Sequence, residues 1–172
     1  MRSYHDREWG VPSHDDRYLF EMLILEGAQA GLSWATILNR RDGYRRAFAN
    51  FDPVKVAALS DRRLEQVRED SGIIRNRLKI YGTRTNAKAF IKVQGEFGSF
   101  AKYLWDWVDG TTIVHRPRTL ADVHATTDLS DRISKDLKRR NFTFVGSTIV
   151  YALLQSVGIV DDHVTSCPSK RG

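Results

Sequence analysis

Tyr18-Leu19-Phe20-Glu21-Met22-Leu23-Ile24-Leu25-Glu26-Gly27-Ala28-Gln29-Ala30-Gly31-Leu32-Ser33-Trp34 reads as a helix, a turn and the start of a second helix. Asp15 or Asp16 stands where a cap for the first helix belongs, and that helix is predicted to run to about Glu26, with Gly27 just past its end. Ser33 caps the next, from Trp34 to about Asn39, with a continuation or restart through Tyr44-Arg45-Arg46-Ala47-Phe48. Outward from this stretch the signals stay helical. Pro53 stands at a first helical position, Ser60 precedes a polar helix over Asp61 to Asp70 that Gly72 ends, and another helix covers Arg75 to Val93 before Gly95 and Gly98 break it. Phe100 to Val108 reads as a short aromatic helix, and Asp109 to Asp128 as a long loop around Pro117. Ser130 is predicted to cap a charged helix through Ile133, Leu137 and Arg140, and a final apolar segment runs from Val145 to Val157. Strand alternation is weak, at Thr112-Ile113-Val114 only. The fold class is therefore all-α, with one domain over residues 1–172.

Composition narrows the function. The 172 residues are 41% hydrophobic and 28% charged, values of a globular chain able to bury a core. No apolar run is long enough to span a membrane. The first residues lack the apolar centre of a signal peptide, and a single cysteine, Cys167, excludes an internal disulfide; both point to a cytoplasmic location. Lys and Arg number 27 against 21 Asp and Glu, a net charge of +6, and arginine carries most of it. The planar guanidinium fork matches phosphate oxygens, so a nucleic-acid partner gains weight over a basic surface of no special purpose. A phosphate-binding Gly-rich loop, a serine nucleophile elbow and a Cys-x-x-Cys pair are all missing.

Several residues look out of place. Leu19, Met22, Leu23 and Glu26 share one helical face, so Glu26 stands where a leucine is expected. A buried carboxylate is costly unless it is paired or kept for chemistry. It serves either the backbone of the following turn or a polar ligand in an apolar pocket. The glycines of Glu26-Gly27-Ala28-Gln29-Ala30-Gly31-Leu32-Ser33-Trp34 permit close backbone approach, with Trp34 as core filling or as a stacking surface. Tyr4-His5-Asp6-Arg7-Glu8-Trp9-Gly10-Val11-Pro12 mixes aromatic and polar residues and reads as an arm laid over the core. His163 and Cys167 stand four apart, a usable spacing for two zinc ligands, and His5 supplies a third if the termini meet. In Lys138-Arg139-Arg140-Asn141-Phe142-Thr143-Phe144-Val145-Gly146-Ser147-Thr148, basic residues lead through a turn into an apolar helix whose first N–H groups suit a phosphate; a solvated face is the plainer alternative.

Taken in order, Tyr4-His5-Asp6-x-Glu8-Trp9-Gly10-Val11-Pro12, Leu25-Glu26-Gly27-x-Gln29-Ala30-Gly31-Leu32-Ser33-Trp34, Phe51-Asp52-Pro53, Gly72-Ile73-Ile74-Arg75-x-Arg77-x-Lys79-Ile80, Phe144-Val145-Gly146-x-Thr148 and Asp162-His163 resemble the 3-methyladenine DNA glycosylase I family over nearly the whole chain. The resemblance implies a helix-hairpin-helix DNA glycosylase fold and the hydrolytic excision of 3-methyladenine from double-stranded DNA by a flipped-nucleotide mechanism. It implies Glu26 and Tyr4 in contact with the base and Trp34 stacked on it, with Glu26 the catalytic group. By the same resemblance Gly31 and Leu32 sit at the gap left by the flipped nucleotide. Residues 142 to 147, with Phe144, Gly146 and Ser147, form the DNA-binding hairpin, and Arg139 contacts the DNA backbone. It further implies a structural zinc on His5, His163 and Cys167.

Two departures stand out. The family starts roughly a dozen residues earlier, with a cysteine-containing stretch that supplies the fourth zinc ligand; without it, the expectation is either a truncated chain, a zinc held by three protein ligands plus water, or no zinc. Asp161 also stands where the family has Asn before Asp-His, which adds a carboxylate beside the metal ligands. No lysine is assigned to the pocket, so a Schiff-base lyase step is not expected and the enzyme reads as monofunctional and monomeric. The alternatives from other classes are a DNA-binding domain that kept the fold without the activity, and a metal-binding interaction module.

Overall fold

A computed structural model describes residues 1–170. Ten helices carry the chain: α1 (Arg2–Arg7), α2 (Asp16–Gln29), α3 (Trp34–Leu38), α4 (Arg41–Ala47), α5 (Pro53–Ala57), α6 (Asp61–Arg68), α7 (Arg77–Phe97), α8 (Phe100–Asp106), α9 (Asp128–Arg139) and α10 (Ser147–Ser156). Their starts are chemically marked. Side-chain oxygens of Asp15, Ser33, Asp52, Ser60, Asn76, Ser99 and Thr127 each accept from N–H groups of the first turn they precede.

Among the places where the structure differs from the sequence reading, four have a clear physical reason. Helix α2 continues through Gly27 to Gln29, because that glycine lies inside the helix as a contact surface: a Cβ there would come 3.2 Å from the Cβ of Phe144. Helix α7 runs past Gly95, which faces open space and only weakens the helix, and ends at Gly98 with φ of 89°. The cap of α9 is Thr127; Ser130 sits inside the first turn and reciprocates by accepting from the Thr127 N–H at 2.8 Å. The long loop after α8 contains a short strand, β1 (Ile113–Val114), paired in parallel with β2 (Val160–Asp161).

Helix α2 lies at the centre, buried on all sides from Leu19 to Ala28. Phe20 meets Phe90 of α7 at 5.0 Å between ring centroids, and Phe90 stacks on Phe100 of α8 at 4.2 Å. Helix α10 covers another side of α2 and packs on α9. The N-terminal segment is a short helix followed by an extended arm, which is fastened to the end of α10 where Gly10 N–H donates to Gln155 O and Ser13 N–H to Val157 O. Helix α4 approaches the turn before α7 backbone to backbone: a Cβ on Gly43 would fall 2.2 Å from the carbonyl oxygen of Gly72.

That contact and the open position in α7 form a matched pair. Gly43→Ala is expected to cost about 2–3 kcal/mol in a urea titration, since backbone must move to admit the methyl group. Gly95→Ala, with no neighbour to meet, is expected to stabilise the fold by up to about 1 kcal/mol.

Candidate base pocket, metal cluster and DNA face

Helices α1, α2, α3 and α10 meet around a pocket of about 260 Å³ lined by Tyr4, Trp9, Glu26, Gln29, Trp34, Ala152 and Gln155. The sequence-predicted trio of Tyr4, Glu26 and Trp34 thus comes together. Each arrives by a different device. Tyr4 lies in α1, Glu26 on the last full turn of α2, and Trp34 on the first residue of α3, where the Ser33 cap fixes the helix start through a 3.2 Å bond from Thr36 N–H. The Tyr4 and Trp34 rings stand 5.4 Å apart at 53°.

Buried polar groups in this pocket lack partners. The Tyr4 hydroxyl and the Trp34 Nε1–H are both buried without a hydrogen bond. In a folded core such groups cost about 1–3 kcal/mol each unless a ligand completes them. Glu26 is 5% exposed, and burial pushes its pKa up to about 8, with the Ser156 hydroxyl pulling the other way. Burial, and then the nearby Glu26 charge, raises the Tyr4 phenol as well, so it stays a hydrogen-bond donor.

A second buried carboxylate on the same helix makes the contrast. Glu21 is 6% exposed, but Arg41 Nε donates to it at 2.8 Å and Arg45 Nε at 2.7 Å. Arg41 also reaches Glu8 at 2.7 Å, just past the end of α1. Glu21 is a neutralised structural group, whereas Glu26 has no such cation. A planar cation carrying N–H donors and ring acceptors would ionise Glu26 and give the Tyr4 hydroxyl an acceptor.

Next to the pocket, one ligand atom from each of His5, His163 and Cys167 lies within 4.8 Å of the others. The Cys167 Sγ stands 3.8 Å from His5 Nε2. Asp161 accepts from the His163 N–H at 3.1 Å and lies 2.6 Å from its Nδ1. That contact turns the other ring nitrogen toward the cluster, where His163 Nε2 is buried without a partner. Bonds from His163 and Arg116 outweigh burial and hold the Asp161 pKa low. An oriented imidazole with an orphaned nitrogen, a second imidazole and a thiol suit zinc. Asp162 is committed inside the fold: the Tyr151 hydroxyl, Gln155 Nε2 and His115 Nδ1 lie 2.6, 2.7 and 2.7 Å from its oxygens.

The candidate DNA residues lie on two turns. Gly31 has φ of 80° and nothing within 4 Å of where a Cβ would be, and Leu32 is 38% exposed. In the turn between α9 and α10, Asn141 and Phe144 take left-handed backbone, with φ of 69° and 55°. The Phe144 ring packs inward on Gly82 of α7, leaving backbone as its outward contribution. Gly146 precedes α10 with open space around it, and Ser147 opens that helix with its hydroxyl turned to Ser130 at 2.7 Å and Asp131 at 2.5 Å. Arg139 is exposed and pairs with Asp136.

Sequence reasoning left out Trp9 and Gln155. Trp9 stacks on His5 at 5.7 Å, meets His163 edge-on at 4.6 Å and lines the base pocket, so it is a wall common to both sites. Its place between Glu8 and Gly10 in the aromatic-polar arm was the available signal. Gln155 stood out only as the amide within the apolar run from Val145 to Val157.

The Glu26 shift has a stability consequence. Between the ordinary carboxylate value of 4.5 and about 8, the folded protein keeps a proton that the unfolded chain has lost. Stability contributed by the protonated group is therefore lost as pH rises through that window. The melting temperature of Glu26→Gln is expected to match wild type near about pH 5 and to exceed it increasingly toward about pH 9. Parallel curves for the two proteins would mean that Glu26 is ionised throughout.

Comparison with known proteins places these features in context. A family model described as methyladenine glycosylase matches residues 1–170. DNA-3-methyladenine glycosylase 1 of Escherichia coli is 46% identical over 165 residues, 96% of this chain and 88% of that protein. The DNA-3-methyladenine glycosylase of Haemophilus influenzae is 43% identical over 167 residues, covering 97% and 90%. The solved structure of 3-methyladenine DNA glycosylase I from Staphylococcus aureus, determined for 3-methyladenine recognition, superposes with a TM-score of 0.97 at 35% identity, covering 99% of this chain and 91% of that one.

Proposed function

The chain belongs to the methyladenine glycosylase family, and from that premise we propose how its residues carry out the work of a DNA-3-methyladenine glycosylase. It is a hydrolase of N-glycosyl bonds that acts in base-excision repair by removing 3-methyladenine from alkylated DNA. The observation that carries the division of roles is a buried, cation-free Glu26 facing a pocket whose Tyr4 and Trp34 donors have no partners.

Methylation at N3 makes the base cationic and weakens its bond to the sugar, so little acid assistance to the leaving group is needed. Once the nucleotide has turned out of the stack, the cation enters the pocket and Glu26 releases its proton to solvent to become the counter-charge. The carboxylate accepts from the exocyclic amine, the Tyr4 hydroxyl turns to a ring acceptor, and the face of Trp34 stacks on the ring. That stacking contributes roughly 1–2 kcal/mol to holding a desolvated cationic ring. The glycosidic bond then breaks with its electron pair passing to the base, which leaves neutral. Water adds to the sugar carbon and loses a proton. Unmodified adenine is neutral, cannot ionise Glu26 and is the poorer leaving group, so it is rejected twice.

Double-stranded DNA is the substrate of this reading, met by a monomer in the cytoplasm. Gly31 and Leu32 occupy the gap left by the flipped nucleotide, and the turn from residue 142 to 147 offers backbone N–H groups of Gly146 and Ser147 to a phosphate. Arg139 adds a charge beside that turn. The net charge of +6 and the scattered exposed apolar residues Val54, Leu78 and Leu120 support this arrangement. The rival, a binding-only domain, leaves the open donors of the pocket unexplained.

His5, His163 and Cys167 would hold zinc, which supplies structural cross-linking of the two ends of the chain and no activation of water. Chelation is expected to lower the melting temperature of the purified protein, and elemental analysis to find about one zinc per chain, lost in His163→Ala. A zinc-free native protein insensitive to chelators would remove the metal from this account.

Release of free base from methylated duplex DNA, resolved by chromatography, tests the main reading. Wild type should release 3-methyladenine, and Glu26→Gln should lower the rate roughly a hundredfold while leaving affinity for undamaged duplex unchanged. Arg139→Ala should instead weaken duplex binding for every sequence and reduce its salt slope by about one. Equal loss of rate and binding in Glu26→Gln would make that residue structural.

A further inference from the structure

We propose that Lys79 is a positioning residue for excision, setting the Gly31–Leu32 turn in register with the hairpin from residue 142 to 147 so that both meet one duplex together. Helix α2 ends at Gln29, and its last carbonyls have no partner within the helix. The Lys79 ammonium supplies it, donating to Ala28 O at 2.9 Å and to Ala30 O at 2.7 Å. Ala30 is the residue before Gly31. The turn is otherwise held by its own short bonds, from Leu32 N–H to Gln29 O at 2.7 Å and from the Gln29 amide to Leu32 O at 3.1 Å. Lys79 is thus the tie that reaches the turn from outside.

The same face of α7 grips the hairpin. Positions 79, 82, 83 and 86 fall at i, i+3, i+4 and i+7 of that helix. A Cβ on Gly82 would lie 2.9 Å from Thr143 Oγ1 and 3.0 Å from the Phe144 ring, so helix and hairpin are in direct contact there. The Asn86 amide donates to Thr143 O at 3.0 Å and accepts from Thr143 N–H at 2.8 Å. Two turns far apart in sequence are therefore referred to one rigid element, with Lys79 in its first turn and Asn86 two turns further on. A lysine meant for phosphate would leave its ammonium in solvent; here it is partly withdrawn from water and bound to two neutral carbonyls.

The proposal rests on the reading of Gly31 and Leu32 as the part that fills the gap, and a mutant cycle separates the two ideas. Single-turnover release of base from methylated duplex DNA and binding of free 3-methyladenine are measured for Lys79→Met, Lys79→Arg, Leu32→Ala and the Lys79→Met/Leu32→Ala pair. Lys79→Met should slow excision roughly tenfold or more, the scale of losing charge-assisted bonds to two carbonyls, with free-base affinity unchanged. Lys79→Arg should restore most of the rate, and Lys79→Met should add little once Leu32 has been truncated. A normal rate in Lys79→Met beside a slow Leu32→Ala overturns the positioning role alone. So does a free-base affinity that falls as far as the rate, or full additivity of the two changes. A wild-type rate in Leu32→Ala overturns the reading of the turn, and the proposal with it. Should Lys79→Met fail to fold, Lys79→Gln, which keeps one donor, is read against the same outcomes.

Discussion

An ionisable group buried without a counter-charge is the constraint around which this molecule is organised. Helix α2 is enclosed from Leu19 to Ala28, and it carries two carboxyls into that enclosure. Arg41 and Arg45 neutralise Glu21, which becomes part of the scaffold. Glu26, little more than one turn further on, receives nothing comparable, and its pKa stands near 8 in consequence. The fold tolerates a group that would be more stable with a cation beside it, and the pocket around that group is lined by aromatic faces and unpaired donors. In the proposed function a cationic base supplies what the protein withholds, and a neutral base leaves the desolvated carboxyl as it was.

The short N-terminal helix links this pocket to the His5, His163 and Cys167 cluster. Adjacent residues of α1 point to different ends of the chain's chemistry, with Tyr4 in the base pocket and His5 beside His163 and Cys167. Trp9 fills the space between them and touches both. Glu8 ties the end of α1 to Arg41, and through it to Glu21 in α2. The arm is therefore held by an ion-pair chain on one side and by the cluster on the other. Asp161 strengthens the second attachment by fixing the His163 ring.

Much of the fold was legible because its signals are local. Caps at Asp15, Ser33 and Ser60 and the proline at the start of α5 act within one turn of chain, and each begins a helix where it was expected. The misreadings involve residues whose meaning depends on distant partners. Gly27 and Gly95 look alike as helix breakers, yet one is a contact surface for Phe144 and the other an idle position in a long helix. The pairing of Ile113–Val114 with Val160–Asp161 joins segments that no local pattern connects.

The sequence by itself determined the helical class, most helix starts, the basic character of the chain and the oddity of a carboxylate at Glu26, because capping, periodicity and charge are properties of neighbouring residues. Motif order along the chain pointed to the family for the same reason. Only the tertiary structure decided that Glu21 is paired while Glu26 is not, that Trp9 joins two sites, and that Lys79 serves carbonyls rather than phosphate. Each of these turns on which groups meet after the chain has folded and water has been excluded, and desolvation and pairing have no value until then.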